Sequence, residues 1–189
     1  MKKIILFAFL IISYNSLINA QESMFNSGDK AINFGIGLGS IYGSGIYGST
    51  TIPPVSISFE KGIKDEVLGK GVIGIGGYLG YTSYKWEYTL ANMDYGWKYS
   101  NIVVGVRGTF HYPLLDKFDT YLGAMLGYNI VNSTSFGTAS GTYNYTPDSG
   151  SLVYSGFLGS RYFFSDKLSG FAELGYGIAY LTLGLSVKF

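Results

Sequence analysis

The chain has 189 residues, enough for one domain, and its 13 basic against 12 acidic residues leave no basic field of the kind nucleic-acid binding needs. Charged residues make up only 13% of it, about half the usual globular share, while 18 Tyr, 13 Phe and 28 Gly are heavy usage for this length. With no Cys, disulfides, thiolate metal sites and an acylated lipoprotein N-terminus are excluded.

At the N-terminus, Lys2 and Lys3 precede the apolar run Ile4 to Ile12, and a more polar stretch from Ser13 to Asn19 leads to Ala20. This has the form of a secretory signal peptide cleaved after Ala20. The run is too short to span a bilayer as a helix, which takes about 20 apolar residues. Residues 1–20 are therefore expected to be removed, leaving a mature domain of 21–189. Taking away Lys2 and Lys3 leaves 11 basic residues against 12 acidic ones, a net charge of −1.

Beyond the leader, no window carries a convincing 3.6-residue apolar period. Segments of about ten residues with period two recur instead, separated by turn-rich stretches, which is the pattern of outer-membrane strands. Strands are expected near 31–39, 54–61, 71–86, 98–112, 119–131, 151–164, 170–178 and 181–189. Eight is an even number, as a bacterial single-chain barrel requires. The expected fold is an all-β, eight-stranded antiparallel up-and-down transmembrane barrel.

Faces can be assigned along several of these strands. In the third, Ile73, Ile75, Leu79 and Tyr81 would face lipid. In the fourth, Ile102, Val104, Val106, Phe110 and Tyr112 take that side, with Asn101, Arg107, Thr109 and His111 inward. In the fifth, Leu122, Ala124, Leu126, Tyr128 and Ile130 point outward, and Tyr121, Gly123, Met125, Gly127 and Asn129 inward. Inward glycines at Gly35, Gly37, Gly74, Gly76, Gly80, Gly123 and Gly127 either make room in a lumen just wide enough for its own side chains or ease strand twist. In the closing strand Leu181, Leu183, Leu185, Val187 and Phe189 share one face, opposite Thr182, Gly184, Ser186 and Lys188. Such a strand must pair with the first to leave no open edge in lipid.

Connection lengths set the expected orientation, since outer-membrane barrels keep short turns in the periplasm and longer loops outside. Pro113 to Lys117 and Ser165 to Ser169 are short, whereas 40–53, 87–97 and 132–150 are long and would lie outside. Gly62 to Lys70 is long for a periplasmic turn, and the hairpin near Ile178 to Tyr180 is short for an external loop.

Arg161 and Glu173 are equidistant from Lys167, so a symmetric hairpin would set them opposite each other on the inward face. Opposite charges across a strand pair attract, and a charge in a narrow lumen needs a partner. Glu60 and Arg107 would join them in a polar plug; the competing reading has some of the four reaching water at a rim.

The run Arg161-Tyr162-Phe163-Phe164-Ser165-Asp166, with Ala172-Glu173-Leu174-Gly175-Tyr176-Gly177 and the closing Gly184-Leu185-Ser186-Val187-Lys188-Phe189, resembles the C-terminal portion of small Gram-negative outer-membrane barrels of the OmpX/OmpW type. The resemblance implies residence in the outer membrane among its lipid and lipopolysaccharide, and a terminal Phe189 read by the barrel assembly machinery. It carries architecture rather than activity.

Catalytic patterns are weak. The single histidine, His111, rules out a cluster of His ligands for zinc, and a Ser-His-Asp arrangement would have to use it beside the turn at Pro113. It reads as an ordinary inward polar residue. Gly43 to Gly48 matches a dinucleotide fingerprint as text, but no helix follows, so it reads as a loop. Asn132-Ser133-Thr134 and Asn144-Tyr145-Thr146 are glycosylation triplets of little weight in a bacterial protein. No cofactor is implied. A binding function could reside in the external loops 40–53, 87–97 and 132–150, where Tyr42, Tyr47, Tyr88, Tyr95 and Trp97 either contact an extracellular ligand or anchor the barrel at the headgroups. Three functions follow: a structural or surface-interaction barrel without catalysis, a narrow channel for small or apolar solutes, and a soluble lipocalin-like carrier with its apolar face inward.

Overall fold

The computed structural model describes residues 23–40, 42, 48–90, 93–137, 150–176 and 178–189. The expected signal segment 1–20, most of the Gly43 to Gly48 stretch and the Asn144 triplet lie outside them. Eight strands form a closed antiparallel ring in chain order. They are β1 (Lys30–Ser40), β2 (Gly48–Val67), β3 (Gly71–Leu90), β4 (Met93–Leu115), β5 (Phe118–Phe136), β6 (Ser151–Phe163), β7 (Leu168–Tyr176) and β8 (Ala179–Lys188). The ring closes where β1 meets β8, with Ala31 opposite Lys188 and Ser40 opposite Ala179. Beyond the strand ends, Phe189 and Lys30 exchange backbone bonds of 2.8 and 3.0 Å, so the seam is paired to its last residue.

The alternation sorts the side chains as the third, fourth, fifth and closing strands imply. Phe34, Ile36, Ile57, Ile75, Leu79, Val104, Val106, Leu122, Leu126, Leu158, Leu174, Leu183 and Leu185 stand exposed on the outside, while Asn33, Glu60, Arg107, His111, Asp119, Asn129 and Arg161 are buried within. From Ile32 to Leu38, Ile73 to Tyr81, Ile102 to Tyr112 and Thr120 to Ile130, the outward positions carry no charge. Tyr128, Tyr154 and Tyr176 mark one border of this apolar zone, and Tyr162, Phe164 and Phe189 the other. Tyr154 and Tyr162 are separated by roughly 20 Å along the axis at a tilt of about 40°, close to the height of a lipid-facing band. A soluble carrier would need the reverse arrangement, so the lipocalin-like alternative is overturned by the outward apolar face.

Several expected boundaries are corrected. The stretch Gly62 to Lys70 is mostly strand, with register shifts around Lys64 and a turn over Leu68 to Lys70. The expected loop over 87–97 is almost wholly strand, because β3 and β4 remain in unbroken register from Val72 opposite His111 to Leu90 opposite Met93. Likewise β2 begins at Gly48 and β5 runs on to Phe136. Pro53 and Pro54, at the expected boundary between the 40–53 loop and the strand from 54, lie within β2 where the β2–β3 register shifts between Ile52 and Val55, and a bulge tolerates a residue with no amide donor.

The result is a lopsided barrel. Strands β2 to β5 have 20, 20, 23 and 19 residues, against 13, 9 and 10 in β6 to β8 and 11 in β1. Nine to eleven tilted residues already cross a bilayer. The surplus of β3 and β4 at the far end, from Ser83 to Leu90 and Met93 to Ser100, runs on for roughly 20 Å beyond the short strands, accompanied by β2 as far as Gly48 opposite Trp86 and by β5 as far as Phe136 opposite Gly96.

Candidate functional site

Toward the end where β1 begins and β8 finishes, inward side chains from four strands meet in one ionic cluster. Arg161 on β6 donates to Asp119 on β5 at 2.8 Å and to Glu60 on β2. His111 on β4 sits between the same two carboxylates, Nδ1 at 2.8 Å from Asp119 and Nε2 at 2.8 Å from Glu60. Thr109 donates to Glu60 as well. A histidine with a carboxylate at each ring nitrogen makes both bonds as a donor only when imidazolium, which balances two cations against two anions. Gly74 on β3 supplies the space: a Cβ there would lie 2.8 Å from Glu60 and 2.5 Å from Thr109 Oγ1.

One layer further along, Arg107 pairs with Glu173 at 2.6 Å and donates to Ser58 at 3.2 Å, while its guanidinium lies 4.1 Å from the Phe157 ring. Tyr121 ties the two layers together. Its ring lies 4.7 Å from the Arg161 guanidinium and its hydroxyl donates to Glu173 at 2.9 Å. Above this, a space of about 40 Å³ between Arg107, Glu173, Tyr78 and Phe157 holds at most a few waters. A layer of Val103, Met125 and Ile178, with Tyr42 packed against it, follows on the far side.

The four residues expected to share the lumen all lie in it, but their pairing differs. In β6–β7, Arg161 stands opposite Phe171 and Glu173 opposite Gly159, so the expected direct contact between Arg161 and Glu173 is corrected. The turn closes earlier than the sequence suggests, with Phe164 and Ser165 bonding back to Leu168, and the hairpin centres on Asp166 rather than Lys167. A shift of one residue in the centre moves the pairing by two, which preserves the faces while changing the partners. Each charge found its counterion across the barrel instead.

Two participants escaped the sequence reading. Asp119 sits two positions before the inward Tyr121, so its face was legible; it escaped notice because it opens a strand. Phe25 had no such signal. The segment from Ser23 to Asp29 folds into the mouth at the termini end and puts the Phe25 ring, fully buried, 4.5 Å from His111 and 5.5 Å from Arg161. Polar contacts hold it there: Ser27 N–H donates to Asp65 at 2.6 Å, Lys188 Nζ to the Met24 carbonyl at 2.8 Å, and Gly28 and Gly62 lie in backbone contact. A side chain at Gly62 would run into the Asn26 carbonyl, so this crossing demands glycine.

At the opposite end, the tall β3–β4 hairpin is nearly palindromic. Tyr84 faces Tyr99, Lys85 faces Lys98, Trp86 faces Trp97 and Tyr88 faces Tyr95. Tyr84 with Tyr99 and Tyr88 with Tyr95 stack at 5.1 and 5.9 Å. The strand alternation that sends Thr82 and Asn101 inward sends these aromatics to the same side, facing the space over the mouth rather than the lipid. Tyr42, at the top of the lumen, has its hydroxyl pKa raised by burial and by the neighbouring Tyr84 and Tyr176. Tyr88, Tyr95 and Trp97 therefore lie on the inward side of their strands, whereas Tyr128, Tyr154 and Tyr176 stand on the outside; Tyr47 lies outside the described residues.

No protein-family profile matches the chain and no curated protein sequence does. Solved structures do match in fold. The outer membrane protein OprG of Pseudomonas aeruginosa aligns over 89% of this chain and 99% of its own, at 10% identity and a TM-score of 0.56. Ail, the attachment invasion locus protein of Yersinia pestis, aligns over 86% and 99%, at 11% identity and 0.55. The N-terminal β-barrel domain of P. aeruginosa OprF aligns over 86% and 98%, at 10% identity and 0.51. The fold of this chain is that of small outer-membrane β-barrels.

Proposed function

We propose that the chain is an integral barrel of a Gram-negative outer membrane with a structural or surface-interaction role, a closed lumen and no catalysis. The observation that carries this reading is the plug: the Glu60–Asp119–His111–Arg161 cluster with Phe25 wedged against it, backed by the Arg107–Glu173 pair. Closure by paired charges and a buried ring favours a scaffold over a conduit. The Asp119–His111–Thr109 run is similar to an acid–base–hydroxyl relay, yet all three are buried and Phe25 fills the approach, so the cluster serves as a fastening. Residues 1–20 act as the export signal, Phe189 as the assembly signal, and the termini end faces the periplasm. The tall β3–β4 hairpin offers its aromatic face to an extracellular partner.

Planar-bilayer recording of the folded chain tests the choice between scaffold and channel. A quiet membrane is expected under conditions where the barrel is shown to be inserted by protection of its strands from protease. Reproducible unitary steps from the unaltered chain would instead establish the narrow channel for small or apolar solutes.

A further inference from the structure

Beyond the Val103 layer the inward face changes chemistry. The register sets Tyr84, Tyr99 and Ser133 side by side across β3, β4 and β5, and Trp86, Trp97 and Ser135 in the next rung toward the tall end. Tyr84 and Tyr99 spend one ring face on each other, at 5.1 Å. The other face of Tyr99 is left toward β5, where serines leave a shelf beside the rings. The inward positions Thr82 to Tyr88, Tyr95 to Asn101 and Asn129 to Ser135 carry no charge, because alternation turns Lys85, Glu87 and Lys98 to the opposite side. Two polar groups are left over at the foot of this shelf. Asn129, 2% exposed, donates its amide to the Asn101 carbonyl at 3.0 Å. Its own Oδ1 and the Oγ of Ser133 are buried with no hydrogen-bond partner among the described residues. A polar group cut off from both water and protein carries a cost that a hydroxyl arriving with a ligand would remove.

These features select the chemistry of the occupant. Aromatic faces are electron-rich and attract the C–H edges of a ligand lying flat on them. Rigid Tyr and Trp beside Ser and Asn hold hydroxyls without needing a charge. An ionic ligand would have to shed its water onto a face that offers no counterion. A purely apolar one would leave Asn129 and Ser133 unpaired. A pyranose meets both demands, since its ring presents C–H bonds on its faces and hydroxyls around its rim. We propose that the shelf formed by Tyr99 and Trp97 over β5 binds a neutral glycan, with sugar rings stacked on the two aromatics and hydroxyls directed to Ser133 and Asn129. Rungs two residues apart lie about 7 Å from each other, which suits successive sugars of one chain. This names a partner class for the surface-interaction reading above and rests on it.

Trp86 and Trp97 are the two tryptophans of the chain, so its tryptophan emission reports this face alone. The full chain, folded in detergent micelles and checked by heat-modifiable gel mobility, is titrated with neutral hexasaccharides of glucose, galactose and N-acetylglucosamine, and with a sulfated hexasaccharide. A saturable emission change is expected with at least one neutral hexasaccharide, unaltered by high salt because no charge is neutralised, and none with the sulfated one. Tyr99→Ala should weaken binding about fivefold, the scale of one stacked ring. Ser133→Val, which removes a hydroxyl and narrows the shelf, should weaken it about tenfold. Thr50→Val, on the opposite flank beside Tyr84, should bind like the unaltered chain. Silence toward every neutral hexasaccharide, an equal response to the sulfated one, or loss with Thr50→Val but not Ser133→Val overturns the inference. Placement is tested separately. The chain has no Cys, so Lys98→Cys in whole cells reacts with a membrane-impermeant maleimide only if the hairpin lies outside. Labelling without glycan binding defeats this inference alone, whereas glycan binding without labelling defeats the outward placement beneath it.

Discussion

The lower lumen and the tall β3–β4 hairpin obey the same alternation and meet opposite fates. In the lower lumen, an inward side chain on one strand reaches partners on strands across the ring, as Arg161 reaches Glu60 and Asp119. In the hairpin, Tyr84 and Tyr88 stack on the partner strand's Tyr99 and Tyr95. Ring closure turns a sheet face into a core, and where the ring stops the same face becomes a surface. Energetic weight therefore belongs at the bottom, and capacity for contact at the top.

The sharpest way to break that contrast is Arg161→Ala. It would leave Glu60 and Asp119 buried with one cation fewer, and a loss of about 3–5 kcal/mol is expected from urea unfolding in lipid vesicles followed by heat-modifiable gel mobility. A loss below that of an exposed substitution would mean the cluster is hydrated and the plug reading is wrong. Phe25→Ala should come next, at about 2 kcal/mol for one buried ring, because water can refill a mouth position. Faster proteolysis of the segment before Lys30 should accompany it.

Glycine pairs sharpen the contrast on a single strand. A Cβ at Gly159 would meet the buried Tyr121 ring, whereas one at Gly156 meets nothing within 4 Å. Gly159→Ala is expected to cost about 1–2 kcal/mol through overpacking, and Gly156→Ala to be nearly neutral. Equal effects would show that the lumen relaxes freely. A small change is also expected from Trp97→Ala, below about 1 kcal/mol, the scale of one cross-strand pair. A larger loss would mean the aromatic face is a second core and not a contact surface.

How much of this was legible follows from what each feature depends on. The faces of the fourth and fifth strands were readable residue by residue, and so was the inward position of Glu60, Arg107, Arg161 and Glu173. The partners of those four were not, because a counterion across the ring is set by where several turns close, and the β6–β7 turn closes one residue earlier than its polar composition suggests. The tall hairpin was hidden for another reason. Tyr, Thr, Asn, Asp and Gly in 87–97 resemble loop composition, and only the mirror pairing of Tyr84 to Tyr88 with Tyr95 to Tyr99 reveals a continued ladder. Phe25 lies outside any periodic segment, so no local pattern could assign it a place.

Period-two alternation is a property of each strand alone, imposed by backbone geometry; it was enough to mark out eight strands and to divide the third, fourth, fifth and closing ones into two faces, and the shortage of charge on the more polar face turned the apolar one toward lipid. The ion pairs, the ring-on-guanidinium stacking and the cork at the mouth depend on distances between residues as far apart in the chain as Glu60 and Arg161. Those distances exist only once the ring has closed, so the plug was decided by the tertiary structure.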